Sequence, residues 1–232
     1  MKRKQKLSTQ SCQSRYGRLA SVYEYGAWLG SNGKIQESKH FHLKLIEKGA
    51  RVLYPGPGWG LEIKEAVKNK IIPTMVEWDP QMFNKANKNF SLSGLSQQVE
   101  CINDDILNHR RNEYYDYVVA NYFLDVFPQR SMLKIFSHLV SLLKHNGKIF
   151  LSGYAPLMGS APHKIIQWIN YFYANIFCKI AVNNAIHGIY DYELFYKQIG
   201  LTNFCHHDFR HFGNFGPKFH RVWVASKTNK EL

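Results

Sequence analysis

The chain holds no run of 18 uninterrupted apolar residues, which argues against a membrane-spanning helix. Its first residues, Lys2-Arg3-Lys4-Gln5-Lys6, are basic, but no apolar stretch follows them, so a secretory signal peptide is not expected. Cysteine is scarce. Cys12, Cys101, Cys178 and Cys205 are scattered and none forms a CxxC pair, which argues against a zinc site and for buried free thiols in a reducing, cytoplasmic setting. No metal site is expected. Internal repeats and long Ser/Gly/Pro linkers are also missing, so one domain is expected in 232 residues. Acid is short as well: 17 Asp and Glu stand against 30 Lys and Arg, a net charge of +13. That excess suits nucleic acid, an anionic membrane surface or an acidic substrate, and a surface simply solvated by Lys and Arg accounts for it equally.

What the chain does contain is an alternation of two periodicities. Residues 1–14 read as a polar, basic tail. From 15 to 48, Tyr16, Leu19, Val22, Tyr23 and then Phe41, Leu43, Leu45 and Ile46 recur at helical spacing, with a break near Gly30–Gly33. Residues 49–154 alternate strands and helices. Strands are expected at Arg51–Pro55, Ile71–Glu77, Gln98–Asn103, Tyr115–Asn121 and Lys148–Tyr154. Helices are expected at Trp59–Asn69, Pro80–Phe90 and Arg130–His145, the last stopped by Asn146-Gly147. Such alternation implies a parallel sheet with right-handed crossovers. Residues 155–190, rich in aromatics, read as a helical lid, and 191–232 as a helix near Tyr192–Gln198 and a closing hairpin, Leu201–Asp208 and His220–Ser226.

The strongest motif is Val52-Leu53-Tyr54-Pro55-Gly56-Pro57-Gly58-Trp59-Gly60, a buried strand running into a turn with glycine at every second position. Glycine lets backbone approach a ligand and adopt positive φ, and the turn lies at the carboxyl end of the strand, where doubly wound sheets bind ligands. The third glycine of the dinucleotide pattern would fall at Leu61, and no Gly-Lys-Ser/Thr follows, so neither that fingerprint nor a Walker loop is present. An ordinary strand-to-helix turn is the competing reading. Glu77 ends the next strand, 21 residues after Gly56, where an acid can accept both hydroxyls of a ribose held over the turn. Trp78, Asp79 and Met82 follow as an apolar wall for a purine ring. Asn103-Asp104-Asp105 places acid after the third strand, where Asp104 or Asp105 can accept from an adenine amino group, with Asp104 favoured. The strand Tyr117–Asn121 runs into Tyr122-Phe123-Leu124-Asp125, facing the same crevice.

With these segments in place, the chain resembles the class I S-adenosylmethionine-dependent methyltransferase family. Val52–Gly60 is similar to the family's first motif, Val76–Asp79 to its second, Asn103–Asp105 to its third and Asp116–Asp125 to its fourth. The resemblance implies an α/β, Rossmann-like, seven-stranded and mostly parallel sheet with helices on both faces and the last strand antiparallel. It also implies S-adenosyl-L-methionine as cofactor, held by Tyr54, Gly56, Pro57, Gly58, Gly60, Glu77, Trp78, Met82, Asp104, Asp105 and Asn121. Tyr54 stands where the family usually has an acid, so the methionine end is expected to lean on the loop backbone and on Asn121. Tyr16 and Tyr23 resemble aromatic positions that close over the cofactor, and helix packing accounts for them as well.

A sulfonium methyl is a strong electrophile, so catalysis reduces largely to alignment and exclusion of water. A base, if one is needed, is expected among the histidines, with His187 after the aromatic segment the first choice and His206 and His207 on a late strand. No Asn/Asp-Pro-Pro-Tyr follows the fourth strand and no Pro-Cys nucleophile occurs, which disfavours base methylation of nucleic acid. A small lipophilic or aromatic acceptor is therefore expected, bound beneath 155–190 with some of Trp168, Tyr171, Phe172 and Tyr173 lining its pocket. Basic charge beside an aromatic lid also suits association with a membrane surface. An RNA-modifying protein and a non-catalytic cofactor binder are the alternatives, motivated by the charge and by Tyr54.

Overall fold

A computed structural model describes residues 33–182, 189–211 and 215–228. Its elements are α1 (Lys34–His40), β1 (Arg51–Pro55), α2 (Leu61–Lys68), β2 (Ile72–Val76), α3 (Pro80–Leu92), β3 (Glu100–Ile102), β4 (Tyr115–Asn121), α4 (Gln129–Leu142), β5 (Leu143–Tyr154), α5 (Ala161–Val182), α6 (Glu193–Tyr196), β6 (Leu201–Arg210) and β7 (Lys218–Lys227). Seven strands form one sheet in the order β3-β2-β1-β4-β5-β7-β6. Strands β1 to β5 pair in parallel, whereas β7 runs antiparallel to both β5 and β6. The expected fold class and the expected antiparallel final strand are both present.

The sheet is covered on both faces, which explains its near-continuous apolar strands. Successive residues alternate between two cores. Leu53, Val118, Ala120, Ile149 and Leu151 pack with Met132, Phe136 and Leu139 of α4. Val52, Tyr54, Val119 and Phe150 pack on the other face with Ile63 and Ala66 of α2 and Phe90 of α3. Helix α4 buries Met132, Ile135, Phe136, Leu139, Val140 and Leu142, a stripe at three- and four-residue spacing. Helix α3 starts where Asp79 caps the N–H groups of Gln81 and Met82, with Pro80 in the first turn. The strand order reverses between β1 and β4, so the carboxyl ends of these strands flank a crevice.

One boundary departs from expectation. The helix before the fifth strand stops at Leu142 rather than running to His145. Leu143 is already extended and pairs with Tyr115. Asp116 pins the segment by accepting from Lys144 Nζ at 2.6 Å and from Arg51 N at 2.9 Å. The Asn146-Gly147 pair makes a local turn, with Asn146 at φ 60. A Cβ on Gly147 would lie 3.0 Å from the Lys144 carbonyl oxygen and 3.1 Å from that of Asp116, so glycine serves strand contact here rather than helix termination. The helix expected over Tyr192–Gln198 is a single α turn continued by a 3-10 turn, Lys197–Ile199.

Candidate active site

The turn after β1 is built from three left-handed glycines, Gly56 at φ 56, Gly58 at φ 60 and Gly60 at φ 66. Their surroundings differ. A Cβ on Gly56 would lie 2.5 Å from the Phe123 ring, and one on Gly60 2.5 Å from the Phe90 ring. A Cβ on Gly58 would meet only Met82 Cε, at 3.7 Å. Packing against the protein therefore accounts for Gly56 and Gly60, and Gly58 is the glycine whose backbone borders open space. Pro57 is buried between them.

Glu77 follows β2 and is buried at 8% exposure. Its two oxygens accept from different loops: Oε2 from Gly58 N at 3.3 Å and Oε1 from Asp79 N at 2.9 Å. Burial pushes its carboxyl up to about 7, against the pull of those two N–H groups. Each oxygen retains a second lone pair, so the carboxylate suits two ribose hydroxyls, which would replace the lost solvation. Asn103 joins this frame by donating to the carbonyl oxygens of Glu77 and Trp78. Met82 is buried against Gly58, and Trp78 is half-buried beside it. Asp105 caps the short 3-10 turn Ile106–Asn108 by accepting from Leu107 N. Asp104 is exposed, and its Oδ1 accepts from Asp105 N and Asn108 Nδ2. Of the two acids, Asp104 is the better placed to reach outward.

Two expected contacts are re-routed. Tyr54 alternates onto the α2 face, where its hydroxyl meets His42 Nε2 at 2.9 Å, and burial raises its pKa. It is a core residue and does not present its hydroxyl to the crevice. The Asn121 amide is engaged: Nδ2 donates to the Lys39 carbonyl and to Glu62 Oε1, and Oδ1 accepts from Ser152 Oγ. Both Nδ2 hydrogens are thus committed, and of the side chain only the second lone pair of Oδ1 remains for a ligand. The residue that sequence reading missed is Glu62, buried at 4% in the first turn of α2. It lies close enough to Tyr54 to raise the tyrosine's pKa further. A carboxylate thus stands near position 54 although position 54 itself carries none. Its signal in the sequence was faint, an ordinary acid two residues into a helix.

Beyond β4, Tyr122 adopts φ 52, a strained conformation for an aromatic residue, held by its N–H on Ser152 O and its hydroxyl on Ser38 Oγ. Its ring meets those of Tyr154 and His220 edge-on at 6.1 and 5.8 Å, and Tyr171 of α5 meets Tyr154 at 5.2 Å. These four form an aromatic wall along the carboxyl edge. Burial holds His220 neutral, with its pKa lowered to about 3, and its Nδ1 has no hydrogen-bond partner among the described residues. Helix α5 is anchored above β5 and β7, where Gln167 Nε2 donates to the Lys218 carbonyl. Of the four aromatics expected to line a pocket, Tyr171 turns inward, while Trp168, Phe172 and Tyr173 are exposed. His206 pairs with Glu193 at 2.8 Å and His207 stacks on Phe41 at 4.8 Å, both structural arrangements. Tyr16, Tyr23 and His187 lie outside the described residues.

Sheet order, antiparallel β7 and the glycine turn define a Rossmann-like methyltransferase fold. A methyltransferase-domain family model matches residues 52–147, which run from β1 into β5. No curated protein matches the chain in sequence. Solved structures share the fold at low identity. An O-methyltransferase candidate from Nostoc punctiforme is 15% identical, with a TM-score of 0.66 over 91% of this chain and 60% of its own. The YcgJ protein of Bacillus subtilis is 11% identical, with a TM-score of 0.61 over 84% and 99%. Phosphoethanolamine N-methyltransferase 2 of Haemonchus contortus, solved with S-adenosyl-L-methionine, is 13% identical, with a TM-score of 0.59 over 79% and 50%. Over residues 52–147 the chain is therefore similar to a methyltransferase domain, and the solved structures share its fold.

The three glycines make separable predictions. Gly58→Ala is expected to fold with a penalty of about 1 kcal/mol from its left-handed backbone and to lose cofactor binding by overlap with the ligand. Gly56→Ala and Gly60→Ala are expected to lower the melting temperature more, because each drives a methyl into an aromatic ring. Calorimetric titration and thermal melts of the three variants check this, and a Gly58→Ala protein that binds normally would remove the turn from the site.

Glu77 carries a pH signature. The folded protein keeps this proton up to about pH 7, whereas the unfolded chain releases it near 4.5. Between those values the folded state binds more protons, so stability falls as pH rises and levels off above about 7. Glu77→Gln should therefore gain thermal stability over the wild type between pH 5 and 8 while binding the cofactor about tenfold to a hundredfold more weakly. Melting curves across that range, paired with titrations, test both halves.

Proposed function

We propose that this enzyme transfers the methyl group to a small lipophilic or aromatic acceptor held between the Gly56–Gly60 turn and α5. The observation that carries this reading is the aromatic wall of Tyr122, Tyr154, Tyr171 and His220 at the carboxyl edge, beside the turn. In it, Gly58 gives close backbone approach, Glu77 accepts from the ribose hydroxyls, Met82 and Trp78 flank the purine, and Asp104 accepts from its amino group. Glu62 takes the part of the acid missing at position 54 and receives the ammonium group of the methionine moiety, either directly or through water. When bound, the cofactor supplies an electrophilic sulfonium methyl. The aromatic wall excludes water and aligns the acceptor, which is how proximity lowers the barrier for such a transfer. His220, neutral above about pH 3, offers Nδ1 to a hydroxyl or amine of the acceptor.

Two measurements test this reading. Incubation with methyl-labelled cofactor and a panel of phenols, quinols, amines and RNA should place label in an organic-extractable small molecule. Label confined to RNA would overturn the acceptor class. Glu62→Gln should weaken binding of S-adenosylhomocysteine about tenfold and leave a desamino analogue unaffected. An equal loss for both ligands would assign Glu62 to folding alone.

A further inference from the structure

Helix α5 is amphipathic the wrong way round for a helix in water. Apart from Tyr171, its inward side is polar: Gln167, at 2% exposure, bridges Met158 N and the Lys218 carbonyl, and His163 and Asn170 are half-buried on the same side. Its outward side carries Ile165, Ile166, Trp168, Ile169, Phe172 and Tyr173, all exposed, with Trp168 at 55% and Tyr173 at 66%. At 100° per residue these six fall in one face, and Trp168 and Phe172 stack on each other across it at 5.4 Å. A second apolar group stands on the same edge of the sheet. Phe215, three residues before Lys218, is 90% exposed, and the Lys218 carbonyl accepts from Gln167 of the helix. A surface helix normally turns such a face to the core, and contiguous apolar patches of this kind mark interaction sites.

The exposed charge around the patch is mostly positive. No Asp or Glu occurs between Asp125 and Asp191, nor between Asp208 and Glu231, the two stretches that build this surface. Over the same stretches Lys164 and Arg210 lie on or beside the patch, while Lys218 is paired at 2.6 Å with Asp208, whose carboxylate is buried and also held by Arg221. A second copy of the chain would bring like charge against like charge, in a protein with a net charge of +13. Residues 1–32 carry the same disadvantage, with six Lys and Arg against the single acid Glu24. RNA would match the charge but gives isoleucine side chains nothing to bury against. An anionic bilayer satisfies both features: acyl chains receive the isoleucines and Phe172, Trp and Tyr rings sit at headgroup depth, and cations meet the lipid phosphates.

We infer that the outer face of α5, with Phe215 beside it, docks this methyltransferase onto an anionic lipid surface, with the carboxyl edge of the sheet turned toward the membrane. The docking deepens the proposed function by naming the phase from which a lipophilic acceptor is drawn, and rests on that reading for this step alone. Docking itself needs only the surface. Gly58→Ala, which is expected to lose the cofactor, should still bind vesicles, so failure of the acceptor reading and failure of docking are distinguishable.

The test is co-sedimentation of the full chain with vesicles of phosphatidylcholine alone and of phosphatidylcholine with phosphatidylglycerol. Binding is expected to the anionic vesicles, weaker at high salt, with a blue shift in tryptophan emission that Trp168→Phe removes. The double variant Trp168→Ser, Phe172→Ser should lose partition at least about tenfold. Lys164→Glu should lose a comparable amount on anionic vesicles and little on neutral ones. Both variants alter exposed side chains, so unchanged melting temperature and cofactor binding certify the fold. No binding to either vesicle would overturn the inference. So would wild-type partition by the double variant, or a vesicle-free dimer that the double variant abolishes. Trp168 already shielded from a soluble quencher in the vesicle-free monomer would assign the face to the chain's own residues 1–32 and overturn it equally.

Discussion

The carboxylate of Glu77 sits where two loops meet, and each of its oxygens is held by a backbone N–H of a different loop. This bridge ties the turn after β1 to the start of α3, and Asn103 extends it to the loop after β3. Three strand ends are thereby locked in one relative position before any ligand arrives. The arrangement buries a group that prefers water, and the raised pKa of Glu77 measures that expense. Buried carboxylates with a strongly shifted pKa cluster at functional sites.

Much of this frame was legible because its causes are local. Glycine at alternate positions after an apolar strand, Pro80 after Asp79, and acids ending successive strands each follow from backbone sterics or capping. The two-faced sheet was readable from apolar runs such as Val118-Val119-Ala120. The less legible parts depend on partners distant in sequence. Nothing near Gly56 and Gly60 indicates that Phe123 and Phe90 occupy the space a Cβ would need. Tyr54 looked like a crevice residue because of its place beside the glycines, yet strand alternation points it to His42. Asn121 reads as a ligand contact for the same reason, yet Lys39, Glu62 and Ser152 engage its amide group first. The early end of α4 also has a long-range cause, the grip of Asp116 on Lys144.

The aromatic segment after β5 divides its residues by a rule the sequence conceals. Periodicity shows that one side of α5 is apolar, but not which side meets the protein. Gln167 decides the matter by bonding to the β7 backbone, which turns the polar side inward and the tryptophan outward. Tyr171 is the exception that reaches the sheet, and through Tyr154 it completes the wall beside the glycine turn. One helix therefore contributes a ring to the aromatic cluster beneath it and presents an apolar face outward.

A crystal structure with S-adenosylhomocysteine tests the central claim most directly, because it locates every group at once. Both ribose hydroxyls are expected within hydrogen-bond distance of Glu77, the purine against Met82, and the backbone of Gly58 in contact with the ligand. The sulfur should face the wall of Tyr122, Tyr154, Tyr171 and His220. A nucleoside bound away from Glu77, or a sulfur directed away from that wall, would contradict it.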